Sequence, residues 1–196
     1  MASESSKFAG SAAVMAAVKH AAKTEGSGQL RDADLQLSSV VVTPEAAVRD
    51  HWMSLILLAG GGIRMTLKAF YNTNLCRRVL ADITGQKPEE IADHFVSDLM
   101  RELLNRVGGS AKRMLGDAGL TVGLSLPLVT RGFDQIFSNS TNQRDTDFEH
   151  WVLKTKYGAV AMSAELTRAP ADCLNKFEWI VPAPKTDADD GELDFL

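Results

Sequence analysis

The sequence predicts an α+β fold in which an antiparallel sheet carries two or three helices on one face. Two hairpins predict the sheet: strands 52–59 and 63–69 flank three consecutive glycines, and strands 151–156 and 159–166 flank Tyr157-Gly158. Between the hairpins lies a stretch with helical periodicity. This grouping of strands and helices is typical of α+β proteins.

Length and composition favour a single soluble domain. The chain has 196 residues, of which 45% are hydrophobic, enough for a sizeable core. Its net charge is -4 and its pI about 5.6, without any dense block of Lys and Arg. We therefore expect no nucleic-acid partner and no anionic membrane partner. Cys76 and Cys173 lie outside any Cys/His cluster, which is typical of a reducing cytoplasm.

The N-terminal region is predicted to form a cytoplasmic amphipathic helix. Residues 8–18 are rich in alanine and could be taken for a signal-peptide core, but Glu4 precedes them and Lys19 follows directly. The helix is expected over residues 5–24, ending at the polar linker 25–28. No apolar run approaches the roughly 20 residues that a membrane span requires.

The next elements are predicted from turn residues and helix-capping residues. A strand begins at Leu35 and ends before Thr43-Pro44, and Gly60-Gly61-Gly62 forms the turn of the first hairpin. Asn72 caps a helix that ends at Gly85, where a left-handed residue is favoured.

A longer helix and several strands follow. The helix starts near Pro88 and runs to about Gly116, with acidic residues in its first turn. A strand over residues 122–131, a polar loop over 132–147 and, after the second hairpin, a last strand over 177–181 complete the prediction.

The helix over residues 91–115 has two distinct faces. At 100° per residue its apolar side chains form one broad arc that predicts the core face. The opposite side is a stripe whose members lie about one turn apart, with His94 and Arg101 at one edge. The stripe consists of Asp98, Glu102, Asn105, Gly109 and Lys112. Such a stripe points at solvent or at a partner, and a solvated face is the common case.

Gly108 and Gly109 distinguish this helix from an ordinary solvated one. Each glycine inside a helix costs up to about 1 kcal/mol relative to alanine, so the bare backbone needs a reason. Close approach of a partner's backbone is one reason, and another element of this same domain crossing there is the other.

The residues from Asp98 to Leu115, followed by Gly123-Leu-Ser-Leu-Pro127, resemble the CheC/CheX/FliY family of chemotaxis phosphatases. The family pattern has Asp or Ser, then Glu four residues on, then Asn three further on, then Pro about twenty residues later in a strand. The likeness covers roughly residues 35–168 and implies a CheC-like fold. One copy of the motif is present, which resembles the single-site CheX branch. Residues 172–175 are the nearest second copy and are interpreted as chance.

The resemblance implies hydrolysis of the aspartyl phosphate of a phosphorylated CheY-like receiver domain. Asn105 is then expected to orient the attacking water, and Glu102 to pair with the active-site Lys of the regulator. Asp98, Arg101, Gly109 and Lys112 are expected to support this contact. The resemblance implies no metal or cofactor of this chain's own, since the regulator holds Mg²⁺. It also implies a homodimer.

The division expected from this resemblance has three parts. Residues 1–34 form the N-terminal helix and linker, 35–168 the phosphatase domain, and 169–196 a C-terminal extension. The acidic end, residues 187–196, is either a solubilising tail or a tethered docking peptide. The alternative function is a non-catalytic module of the same fold that binds a response regulator or flagellar component.

Other candidate sites receive less support from the sequence. The four histidines, His20, His51, His94 and His150, show no metal-ligand spacing. His94 lies near the stripe and is either an exposed side chain or a rim contact. The glycines at 60–62 lack the phosphate-binding pattern. Asp145, Asp147 and Glu149 are interpreted as solvated loop charges rather than a calcium loop.

Overall fold

The computed structural model describes residues 6–40, 52–131 and 145–182. In these segments it contains three α-helices, a single 3-10 turn at Pro88–Glu90 and nine strands. The helices are α1 (Gly10–Gln29), α2 (Thr73–Thr84) and α3 (Asp93–Asp117). The strands are β1 (Lys7–Ala9), β2 (Gln36–Ser39), β3 (Trp52–Gly60), β4 (Ile63–Tyr71), β5 (Gly123–Leu124), β6 (Leu128–Arg131), β7 (Thr146–Thr155), β8 (Gly158–Arg168) and β9 (Glu178–Ile180).

Seven strands form one antiparallel sheet. Its order is β2, β7, β8, β4, β3 and β5, and β6 also pairs with β3. In the first hairpin Trp52 pairs with Tyr71 and Gly60 with Ile63, so Gly61 and Gly62 form the turn. Gly62 has a φ of 82°, a left-handed conformation that glycine adopts without steric cost. The predicted α+β class and both predicted hairpins are confirmed.

Two helices pack on the same face of this sheet. Ile56 of β3 lies under α3, and Leu153 of β7 lies under α1. The strand pairing carries Ile56 through Leu67 and Ala164 to Glu149, and directly paired residues point to the same side of a sheet. Leu153 lies four residues after Glu149 in β7, and alternate residues of a strand share one face, so Ile56 and Leu153 are on the same side. α1 and α3 also pack against each other, and α2 packs beside α3.

The first helix lies five residues further along the chain than predicted. The predicted span is 5–24, whereas α1 runs from Gly10 to Gln29 and includes the expected linker. Gly26 is buried there, and a Cβ on it would meet Leu153 Cδ1 at 3.1 Å. The local sequence at residues 25–28 favours the end of a helix, but burial of Gly26 against the sheet extends α1 to Gln29.

α1 contributes directly to the main core. Its fully buried positions are Ala13, Val14, Ala17, Val18, Ala21 and Ala22. Phe8 in β1 pairs with Trp179 in β9, forming a small second sheet beside α1. Segments from both ends of the chain thus pack with the residues between them. The three-part division of the chain stays a prediction.

Three predicted boundaries need correction. The helix expected from Pro88 is divided, because Ile91 and Ala92 are extended between the 3-10 turn and α3. The strand expected over 122–131 is two short strands, β5 and β6. The predicted loop to residue 147 is also wrong, because β7 begins at Thr146, paired with Thr167 of β8.

The end signals of α2 are confirmed. The Asn72 side chain accepts a hydrogen bond from the Asn74 backbone N–H at 2.7 Å, which caps the helix start. Gly85 closes the helix with a φ of 73°.

Some predictions lie outside the described residues. These are the end of the strand after Val40, most of the polar loop over 132–147, and the acidic tail 187–196. In the described segments, no helix combines the length and hydropathy that crossing a membrane requires.

Candidate functional site

α3 carries the candidate site on its outer face. Its inner face is buried through Val96, Leu99, Met100, Leu103, Leu104, Val107, Ala111 and Leu115. Asp98, Asn105 and Lys112 are exposed, while Glu102 and Gly109 are half-buried. The structure therefore brings all five predicted stripe residues to one face. Ala92 and Met114, predicted for the core arc, are exposed and half-buried respectively.

Two ion pairs organise the charged residues of this face. Arg101 Nη1 lies 3.1 Å from Asp98 Oδ1, and Arg106 Nε lies 2.8 Å from Glu102 Oε1. Arg106 is not among the residues predicted for the site. The signal is present in the sequence, because Glu followed four residues later by Arg is a favourable pair on a helix surface.

Asn105 differs from its charged neighbours. Its side chain is exposed, and it makes no hydrogen bond to any other residue that the structure describes. An amide offers both an acceptor oxygen and two N–H donors. Asn105 can therefore bind a water molecule or a partner without first breaking an interaction within the described structure.

The two adjacent glycines have different surroundings. A Cβ on Gly108 would meet Leu124 Cδ1 at 2.8 Å and Ile56 Cδ1 at 3.4 Å. A Cβ on Gly109 would meet nothing within 4 Å. The sheet passes close under α3 at Gly108, which explains why a residue without a side chain stands there. Packing among the described residues gives no reason for Gly109, which lies one turn from Asn105 on the outer face.

An aromatic pair stands at the start of the same helix. The rings of His94 and Phe95 lie 4.0 Å apart between centroids, and Phe95 is 50% exposed. Phe95 is two turns before Glu102, so it lies on the same side of α3. A partner that docks on this face would meet an apolar contact there.

Tyr71 lies buried at the end of β4. Burial raises the pKa of its phenol, the nearby Cys76 raises this pKa further, and Arg101 opposes the shift. The Tyr71 hydroxyl has no hydrogen-bond partner in the described structure. Arg101 thus acts electrostatically on the Tyr71 phenol and forms an ion pair with the Asp98 carboxylate.

Asp147 and Glu149 are not solvated loop charges, contrary to the prediction. Asp147 lies in β7 and pairs with Arg168 at 3.4 Å. Glu149 lies in the same strand and pairs with Lys19 of α1. Both carboxylates therefore link neighbouring elements. Among the described residues, no group of three or more His, Cys, Asp or Glu side chains could hold a metal ion.

Comparison with known proteins identifies structural relatives but no close sequence relative. No family model matches the chain, and no curated protein matches it. A CheC-like superfamily protein from Shewanella sp. PV-4 is similar at 21% identity and a TM-score of 0.63, covering 78% of this chain and 96% of the other.

Two further structures extend the likeness across the family. The CheX, CheY, BeF3 and Mg²⁺ complex from Borrelia burgdorferi matches at 10% identity and a TM-score of 0.60. The match covers 79% of this chain and 98% of the other. FliY from Thermotoga maritima matches at 16% identity and a TM-score of 0.54, and the match covers 81% of this chain and 87% of FliY. The resemblance inferred from the α3 motif is confirmed at the level of the fold. The chain has the fold of the CheC, CheX and FliY chemotaxis proteins.

Proposed function

We propose that this protein is a phosphatase that hydrolyses the aspartyl phosphate of a CheY-like response regulator. The observation that carries this proposal is the outer face of α3, where the Asn105 amide, unbonded to any described residue, lies about one turn from the Glu102 carboxylate. The buried face of the same helix holds both side chains on a rigid element. A rigid element positions reacting groups more accurately than a loop.

The chemistry demands little more than positioning. An aspartyl phosphate is a reactive acyl phosphate, and the regulator holds the Mg²⁺ that offsets the charge on the phosphoryl oxygens. The phosphatase must then place a water molecule in line with the phosphorus. The Asn105 amide suits this role because it can accept from and donate to a water.

Glu102 sets the docking register in this proposal. Its carboxylate would pair with the active-site lysine of the regulator, which is a charge-assisted contact. Asp98 and Arg101 form a neighbouring pair on the same face. Together with Lys112 and the bare backbone at Gly109, they would line the contact.

The comparisons support a partner of this kind. The Borrelia burgdorferi structure is a complex of a CheX with a CheY. Because this chain has one copy of the motif, we place it with the single-site CheX branch. The homodimer and the cytoplasmic location belong to the same proposal.

The test is phosphate release from phosphorylated receiver domains of the same organism. The wild-type protein is expected to accelerate release, and Asn105→Ala is expected to abolish the acceleration. Glu102→Ala is expected to lose activity mainly through a higher KM. Asn74→Ala is the matched control, because Asn74 is an exposed asparagine on α2.

Two outcomes would contradict the proposal in different ways. If the wild type accelerates release from no receiver, the enzyme assignment is wrong. Binding to a receiver without turnover would then favour the non-catalytic module. If Asn105→Ala keeps full activity, the protein is an enzyme whose water is placed by another residue.

A further inference from the structure

Glu102 is held by a neighbour within its own helix. Nε of Arg106 donates a hydrogen bond to Oε1 of Glu102 at 2.8 Å, one turn further along α3. The Arg106 and Glu102 side chains are 54% and 46% exposed respectively. No other hydrogen bond to the Glu102 carboxylate is formed within the described residues.

Stability does not explain this pair. Exposed ion pairs on a helix contribute little to folding, because water screens the charges and both long side chains lose freedom. The pair does restrict the carboxylate geometry. Oε1 faces Arg106, and Oε2 remains available for a second donor, since an ionised carboxylate has about four acceptor sites.

We propose that Arg106 is a positioning residue, which holds the Glu102 carboxylate so that its free oxygen meets the ammonium group of the partner's lysine. This inference rests on the proposed function and deepens it. A flexible glutamate must be ordered when the partner binds, whereas a glutamate already held by Arg106 is partly ordered beforehand. Ordering one long side chain corresponds to about a two- to tenfold change in affinity.

Arginine suits this role better than lysine. Its guanidinium is planar, always charged and rigid in the orientation of its donors, so it fixes the direction of the carboxylate as well as its charge. A lysine ammonium would hold the same carboxylate less directionally. In this proposal Arg106 acts through Glu102 and makes no contact of its own with the phosphoryl group.

The experiment measures kcat and KM for phosphate release from a phosphorylated receiver domain, using the full chain. Arg106→Ala is expected to raise KM about two- to tenfold with kcat nearly unchanged. Arg106→Lys is expected to recover part of that loss. Arg78→Ala is the charge-matched control, because Arg78 is exposed on α2. Its KM is expected to equal that of the wild type.

A double variant tests whether Arg106 acts through Glu102. If it does, Glu102→Ala combined with Arg106→Ala will have the same kcat and KM as Glu102→Ala alone. An additional loss in the double variant would overturn the inference, because Arg106 would then contact the partner directly. An unchanged KM in Arg106→Ala, or no recovery in Arg106→Lys, would overturn it too.

Failure of this inference is distinguishable from failure of the proposed function. If the wild type releases phosphate and Asn105→Ala does not, the phosphatase stands whatever Arg106→Ala does. If the wild type is inactive on every receiver, the phosphatase assignment itself fails.

Discussion

Gly108 lies so close to Leu124 that a Cβ on the glycine would come within 2.8 Å of the leucine Cδ1. The next residue, Gly109, has open space at the same position. The glycine pair therefore serves two surfaces, one facing the sheet and the other facing outward. The two residues should respond differently to the same substitution.

Alanine substitution at Gly108 and at Gly109 should change the free energy of unfolding by different amounts. Gly109→Ala is expected to raise the free energy of unfolding by up to about 1 kcal/mol, because alanine has the higher helix propensity. Gly108→Ala is expected to be less stable than Gly109→Ala, because its methyl group must displace Leu124. Urea unfolding of both variants measures the difference. Equal stabilisation would show that Leu124 moves aside without cost.

Gly109→Ala should nevertheless impair the proposed reaction. If a partner's backbone approaches α3 at this point, a methyl group will hold it away and raise KM for the phosphorylated receiver. Gly28→Ala is the control, since Gly28 also has open space around it but lies in α1 rather than on the outer face of α3. A Gly109→Ala enzyme with wild-type KM would mean that the partner does not approach there.

α1 should behave as part of the main core rather than as an appendage. Val18 is fully buried, so Val18→Ala is expected to lower the free energy of unfolding by about 1–3 kcal/mol, while a single unfolding transition is retained. Lys23→Ala, an exposed change in the same helix, is expected to stay within about 0.5 kcal/mol of wild type. A separate early transition in Val18→Ala would contradict this packing.

Stability should fall in mildly acidic solution because of two histidines. Burial lowers the pKa of His20 and of His150, with smaller contributions from Lys23 and Lys68 respectively. The folded state thus favours the neutral imidazoles, while the unfolded chain gains protons as the pH falls below about 6.5. The stabilisation is complete above that pH and is lost as the pH falls through the lowered pKa values.

Urea midpoints at pH values of about 7.5 and 5.5, on either side of the ordinary histidine pKa, measure this loss. The wild-type midpoint is expected to fall further between the two pH values than that of a His20→Gln, His150→Gln double variant. Equal falls would assign the acid sensitivity to other groups.

Local sequence patterns were enough to define the outer face of α3 and the two main hairpins. These features depend on periods of 3.6 and 2 residues, and such periods follow from local backbone geometry. The end of α2 at Gly85 was equally local. The family resemblance pointed to the fold, and the structural comparisons agree with it.

The contacts that these faces make were set by tertiary packing alone. Gly26 and Gly28 favour a helix end within the segment 25–28, but Gly26 packs on Leu153 and the helix continues to Gln29. β7 begins at Thr146 because β8 offers it a pairing partner. The roles of Gly108 and Gly109 separate only when the sheet lies under α3. Packing between residues distant in sequence has no local period, so a single sequence does not display it.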